Sequence, residues 1–289
     1  MTHLRDRENP YLIEGPALIS FSGGRTSAYM LRMILDAHGG TLPDDVHVCF
    51  ANTGKEREET LRFVHECATR WGVRVRWLEW RDRRKRTPVV QRFEEVGYNS
   101  AARAGEPFAA LIASKKQTPN QEHRWCTEHL KVQVMHDFML SLGYEFGTYR
   151  EAVGLRADEQ WRYFKMLARN EREGRQCVAP LNKAGVSKSD VMRFWAAQPF
   201  DLGLMPVEGN CDLCFMKGRN NLTALIRRDP QSADWWIEME RSIGKGTFSS
   251  RYSIAELARD VASQPMMPGL DQFEEYDAEC GLWCAGEAA

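Results

Sequence analysis

The sequence predicts an α/β fold: a doubly wound parallel sheet with crossover helices, followed by a helical, cysteine-bearing C-terminal region. Three observations predict it. Short apolar runs alternate with segments of helical period as far as residue 205. A glycine turn, Ser22-Gly23-Gly24-Arg25-Thr26-Ser27, stands between the first apolar run and the first helical segment. After Pro206 the alternation stops, and Cys211, Cys214, Cys280 and Cys284 follow.

Taken in order, Pro16–Phe21 reads as the first strand, and the helix from Ser27 to Ala37 places Met30, Ile34 and Ala37 on one face. Val46–Ala51 is the second strand. Thr53 and Glu56 have capping-box spacing ahead of Leu61, Val64, Ala68 and Trp71, which repeat at helical period. Val73–Leu78 gives a third strand. Residues 82–125 are polar, basic and irregular and read as an insertion, with helix at Pro107–Ala113. Helix returns over Thr127–Leu142. Glu151–Leu155 and Cys177–Leu181 read as short strands on either side of a helix at Asp158–Arg169. Ser187 and Asp190 mark another helix start. Helices are expected at 220–242 and 254–263, with an extended tail to Ala289. Residues 1–205 thus form an α/β domain with a basic insertion at 82–125, and 206–289 a helical region with a loop that holds Cys211 and Cys214 and a cysteine tail.

Composition narrows the class. The chain has 289 residues, 43% of them hydrophobic and 27% charged, enough to bury a large core. Charged residues near Met1 replace the apolar stretch of a secretory peptide, and no run of about 18 apolar residues spans a bilayer. A cytoplasmic, non-membrane protein is expected. There thiols stay reduced, so eight cysteines suggest metal or thiol chemistry instead of disulfides.

A strand-to-helix turn presents unpaired backbone N–H groups, and Gly23 and Gly24 allow a phosphate to approach closely. Ser22, Thr26 and Ser27 add hydroxyls, and Arg25 a forked cation. A plain glycine turn with a capping serine is the bland alternative. Asn52-Thr53-Gly54-Lys55-Glu56 lies after the second strand, where a doubly wound sheet opens its crevice.

These segments, with Glu59–Val64, Trp125–Val132, Gly154–Glu159, Pro180-Leu181 and Cys211-Asp-Leu-Cys214, occur in order across residues 17–217. As a set they resemble the PAPS-reductase-like branch of the PP-loop (adenine nucleotide α-hydrolase) superfamily, of the iron–sulfur cluster-bearing type. The resemblance implies that Ser22, Gly23, Gly24, Arg25, Thr26 and Ser27 hold nucleotide phosphates. It implies further that Asn52, Thr53, Gly54 and Glu56 lie beside the adenosine, and that Arg156 and Arg162 contact phosphate.

Cys49, Cys67 and Cys177 sit at apolar positions and read as packing residues. Cys211-x2-Cys214 can direct two thiolates at one metal centre. Zinc and an iron–sulfur cluster both fit that spacing. The resemblance favours a 4Fe–4S cluster held by Cys126, Cys211, Cys214 and one tail cysteine. Cys284 is assigned as that ligand and Cys280 as the reactive thiol, the opposite assignment staying open. The tail Glu279-Cys-Gly-Leu-Trp-Cys284 resembles the end of sulfonucleotide reductases, with Trp283 in place of a histidine and Trp125 in place of a tandem cysteine.

Arg81–Arg86 holds five basic residues in six, close to Trp77 and Trp80. It suits a DNA or tRNA backbone, or is simply a solvated insertion. The expected function is therefore an enzyme that binds ATP with Mg²⁺, cleaves it to AMP and pyrophosphate, and supports sulfur transfer to an acceptor such as nucleic acid. Arg25, Arg156 and Cys280 are its expected catalytic residues, and a cysteine desulfurase a suitable sulfur donor. The alternative is a PAPS or APS reductase served by a thioredoxin-like reductant. A second alternative is a nucleotide-sensing iron–sulfur module without turnover.

Overall fold

The computed structural model describes residues 9–82, 87–205, 207–244 and 246–263. Five strands run parallel: β1 (Ala17–Ser20), β2 (Val46–Asn52), β3 (Val75–Trp80), β5 (Arg150–Ala152) and β6 (Gln176–Val178). β4 (Phe93–Val96) pairs antiparallel with β3 at the edge. The order is β4-β3-β2-β1-β5-β6. The chain winds outward from β1 in one direction, then returns to place β5 on its other side. Ala17 is accordingly in register with both Val46 and Arg150. That reversal is the topological switch point, where α/β sheets open a crevice at the strands' carboxyl ends.

The central strand is buried on both faces, which explains its unbroken apolar run. Its side chains alternate between two cores. Leu18 joins Cys49, Ala51 and Leu78 on one face, and Ala17 and Ile19 join Val46, Val48 and Phe50 on the other. The second face is covered by α1 (Arg25–Ala37), α2 (Glu58–Trp71) and the later α8 (Lys188–Ala196). The first face carries α3 (Glu106–Lys115) and a helical run made of α4 (Trp125–Thr127), a π-helical turn (Glu128–Val132) and α5 (Gln133–Ser141). It also carries α9 (Arg219–Arg228), α10 (Asp234–Ile243) and α11 (Ile254–Ser263), whose Leu222, Trp236 and Leu257 enter the same core. α6 (Gln160–Glu173) and the short α7 (Pro180–Lys183) flank β6.

Several local expectations are corrected. Thr53 and Glu56 do bond each other but close a turn, and α2 begins only at Glu58, after extended Arg57. β4 lies unforeseen in the insertion. Its exposed Glu94-Glu95 pair is held by Arg81, Arg74 and Arg76, the charge pattern of a protected edge strand. The strand expected at Cys177–Leu181 stops at Val178, because Pro180 opens α7. The single helix expected at 220–242 is broken at Pro230, which has no N–H to continue it. Among the described residues, no helix is long and apolar enough to cross a membrane.

Candidate functional site

The glycine turn leaves β1 at the switch point and is stapled across its own width. Ser27 Oγ accepts the Ser22 N–H at 3.2 Å, lies 2.9 Å from Ser22 Oγ, and donates to the Gly24 carbonyl at 3.0 Å. Gly24 caps α1 without a side-chain acceptor, and no acidic residue occupies the helix's first turn. The N-terminal dipole of α1 is therefore left uncompensated by carboxylates, an arrangement suited to an anion. Gly154 backs the turn: a Cβ there would stand 3.2 Å from Ser27 Cα.

Arg156 reaches the turn from the carboxyl end of β5. It is buried, and its Nη1 donates to Thr26 Oγ1 at 3.1 Å. Asp158 accepts from its Nε at 2.9 Å. Glu159 accepts from its backbone N–H at 3.0 Å and also holds Arg162. Two arginines thus share one half-buried carboxylate one residue ahead of α6. Arg25 behaves differently from the sequence expectation of a phosphate fork. Its guanidinium lies on Asp201, at 2.5 and 2.7 Å, and on the Leu204 carbonyl. Its backbone N–H remains in the first turn of α1.

The turn after β2 forms the adjoining wall. Asn52 is buried and donates to Glu79 at 2.7 Å and to the Ala102 carbonyl at 2.9 Å, and it accepts the Gly54 N–H at 3.2 Å. Glu56 accepts from Thr53 N–H and Oγ1 through Oε2, while Lys131 Nζ lies 3.3 Å from Oε1. The cysteine loop is pinned to this wall. Glu56 and Cys211 form an antiparallel bridge, and Arg57 N–H donates to the Asn210 carbonyl at 2.7 Å. Asp212 meets Lys55 Nζ at 2.7 Å. Asn210 Nδ2 donates to the Ser22 carbonyl at 2.7 Å, so one asparagine joins the cysteine loop to the glycine turn.

Within the loop, Cys211 and Cys214 are half-buried. Cys211 Sγ lies 3.9 Å from Glu56 Oε1, the oxygen that Lys131 also approaches. Beneath them Lys217 is fully buried, with Nζ on the Cys211 carbonyl at 3.2 Å. Burial pushes its pKa down, and the neighbouring Cys214 and Cys211 oppose that shift. Cys126 is half-buried on α4, ahead of the π-helical turn that carries Lys131. π-turns are rare and frequent at functional sites.

With this geometry in view, the comparison with known families decides the relationship. The model of the phosphoadenosine phosphosulfate reductase domain matches residues 16–188. The chain belongs to that family. The matched span of this PAPS reductase-domain protein contains the glycine turn, the Asn52 wall, Cys126 and Arg156, and ends before the Cys211–Cys214 loop. The uncharacterized nin region protein ORF290 of Escherichia phage lambda is 28% identical over 222 residues, 71% of this chain and 67% of that protein. An uncharacterized protein of Methanocaldococcus jannaschii is 27% identical over 127 residues, which is 44% of this chain and 20% of that protein. Among solved structures, the U34-tRNA thiolase NcsA from Methanococcus maripaludis, with its 4Fe–4S cluster, aligns with a TM-score of 0.38 and 11% identity. That alignment covers 91% of this chain and 78% of the thiolase.

The fold of this PAPS reductase-domain protein gathers Ser22–Ser27, Asn52–Glu56, Arg156 and Cys211 at one end of the sheet. Arg162 joins through Glu159. Cys49, Cys67 and Cys177 are buried, and burial pushes each thiol's pKa up, as befits packing residues. Among the described residues, no group of three or more His, Cys, Asp or Glu side chains is arranged to hold a metal ion. Cys280 and Cys284 lie outside the described residues, as do Arg83–Arg86 of the basic run. Arg81 is held by Glu79, Glu94 and the Trp80 carbonyl. Sequence reading missed Lys55, Glu79, Asn210, Asp212 and Lys217 as site residues. Of these, Lys55 and Asp212 carried a signal, lying inside the Asn-Thr-Gly-Lys-Glu and Cys-Asp-Leu-Cys segments.

Proposed function

We propose that this chain binds ATP on Ser22–Ser27, cleaves its α–β phosphoanhydride and activates an acceptor for sulfur transfer. One observation carries the reading: buried Arg156, with Nη1 3.1 Å from Thr26 Oγ1, converges with the N-terminus of α1, which has no side-chain cap, at the switch point. A buried guanidinium beside a helix N-terminus stabilises negative charge developing on bridging and terminal phosphate oxygens. An acceptor oxygen attacks the α-phosphorus, the bond to the β-phosphate oxygen breaks, and pyrophosphate leaves; Mg²⁺ would supply charge neutralisation on the phosphates. The outer sulfur of a donor persulfide then attacks the acceptor atom that bears the adenylated oxygen and displaces AMP, and an external thiol cleaves the resulting disulfide to leave the sulfur on the acceptor. Asn52, Thr53, Gly54 and Glu56 form the wall against which the adenosine is oriented, and a cysteine desulfurase is a suitable donor of the sulfur.

Cys126, Cys211 and Cys214, with Cys284, are the residues that would hold a 4Fe–4S cluster. The donor chemistry suits such a group, because Lys217 lies buried beneath a half-buried Cys-x2-Cys loop with Nζ on the Cys211 carbonyl, and a cation there favours thiolates over thiols. Such a cluster would supply thiophilic iron. A second reading, sulfonucleotide reduction, draws support from the family model's own description. There Cys280 sulfur would attack the sulfur of PAPS, the S–O bond to phosphate would break, and a thioredoxin-like reductant would release sulfite from the thiosulfonate.

The test is anaerobic incubation of the full chain with ATP, APS and PAPS separately, scoring pyrophosphate, AMP and sulfite alongside iron and sulfide content. Pyrophosphate from ATP, reduced about 10²–10³-fold in Arg156→Ala, is the expected result. Sulfite from PAPS or APS without pyrophosphate from ATP would replace this reading with the reductase.

A further inference from the structure

The helix that follows the Arg156 turn is unusual for a surface helix. Of α6's residues only Met166 is buried. Trp161 is 72% exposed and Phe164 59% exposed. Residues three and four apart share a helix face, so Trp161, Phe164 and Lys165 form one outward surface. Two large rings left in water at adjacent positions have a cost that packing does not recover, and exposed aromatic patches of this kind mark binding sites.

Charge identifies the occupant. α6 carries four cations, Arg162, Lys165, Arg169 and Arg172, against Glu171 and Glu173, and stays basic although Glu159 holds Arg162 and Glu173 holds Arg169. Lys165 Nζ lies 5.0 Å from the Trp161 ring centroid, over the ring instead of on an acid. Arg172, two turns beyond Lys165, is largely exposed and meets Glu173 at 3.2 Å. Exposed aromatic faces interleaved with cations suit successive bases stacked between backbone phosphates. The surface also starts at Glu159, whose carboxylate holds both Arg156 and Arg162, so it leads directly away from the phosphate turn.

We infer that Trp161, Phe164 and Lys165 of α6 form a stacking surface for single-stranded nucleic acid, which delivers the acceptor to the nucleotide turn. The inference rests on the proposed ATP-dependent reading for the acceptor's role, but the surface itself can be tested apart from it. Fluorescence anisotropy of the full chain with a labelled oligothymidine and an oligouridine, each of about 15 nucleotides, measures binding. The wild type binds at least one of them, and the affinity falls with salt. Loss of both rings in Trp161→Ala/Phe164→Ala weakens binding at least about tenfold, and Trp161→Phe restores most of the Trp161 contribution. Lys165→Gln lowers the salt slope by about one.

Affinity for a non-hydrolysable ATP analogue is measured on the same preparations and is unchanged, which also shows that the variants fold. Equal oligonucleotide binding by wild type and the double variant overturns the inference, as does no binding by the wild type. A wild-type dimer that Trp161→Ala/Phe164→Ala converts to monomer overturns it in favour of an interface between copies. Ring-dependent oligonucleotide binding by a chain that binds no ATP leaves the surface standing and removes the nucleotide reading.

Discussion

Gly23 has a φ of +81°, and a Cβ there would stand 2.7 Å from Thr60 Cγ2 and 3.1 Å from Phe50 and Val64. Both the backbone and the space require glycine. Gly24, its neighbour, has φ −94° and ψ 165°, which any residue adopts. The two glycines therefore do different work, one in folding and one in leaving room for an anion. Gly23→Ala is expected to cost about 1–3 kcal/mol of stability, from the strained backbone and the clash together. Gly24→Val should cost only about 1 kcal/mol, since valine is a poorer helix cap, yet should abolish nucleotide binding. Urea unfolding and isothermal titration with ATP on both variants check the pair. The sequence could show that both glycines belong to a phosphate turn but not which supports the fold. That distinction depends on Thr60, brought up by the next helix. Lys217 was illegible for the same reason: within Lys217-Gly-Arg219 it resembles surface charge, and only the folded cysteine loop buries it, with Nζ on the Cys211 carbonyl.

At the scale of elements, α5 reaches Glu151 of β5 through a polar cluster around His136. His136 meets the Tyr149 hydroxyl at Nδ1, and its Nε2 lies 3.7 Å from Glu151 Oε2, itself paired with buried Arg175. Burial lowers the His136 pKa to about 4, helped by Arg175 and Arg169 and opposed by Glu151 and Glu173. The imidazole is thus neutral when folded and takes up a proton near pH 6.5 when unfolded. Between those values the unfolded chain binds more protons, so stability falls as the pH drops from about 6.5 to 4, by up to about 3 kcal/mol from this group. His136→Gln should flatten that part of the stability–pH curve, measured by urea unfolding at several pH values. A difference between variant and wild type that stays constant over pH 4–7 would contradict the assignment. Elements with strong local signals were legible: β1 and β2 as apolar runs, and α8 from the Ser187–Asp190 box, which the structure forms. β4 and the break at Pro230 were not. A charged edge strand lacks the alternation that sequence reading relies on, and the periodicity on either side of Pro230 hid the stop.

At the scale of the molecule, the C-terminal helices complete one of the sheet's two cores and fix the cysteine loop against the nucleotide wall. Sequence alternation revealed the doubly wound sheet, but not this docking, because Asn210 on Ser22 and Trp236 on Asp212 join residues far apart in the chain with no local pattern. Trp236 is the joint. Its ring packs on Phe108 and Phe248, at 5.9 and 4.7 Å between centroids, and its Nε1 donates to Asp212 Oδ1 at 3.0 Å. Asp212 in turn holds Lys55 in the wall after β2. Trp236→Phe retains an aromatic ring and removes the hydrogen bond, so it should cost about 1–2 kcal/mol of stability. Freed from Trp236, Asp212 should hold Lys55 less firmly, and affinity for an ATP analogue should fall severalfold. Calorimetric titration beside urea unfolding reads both effects in one variant. Lower stability with unaltered nucleotide affinity would mean that the C-terminal helices stabilise the sheet without shaping its site.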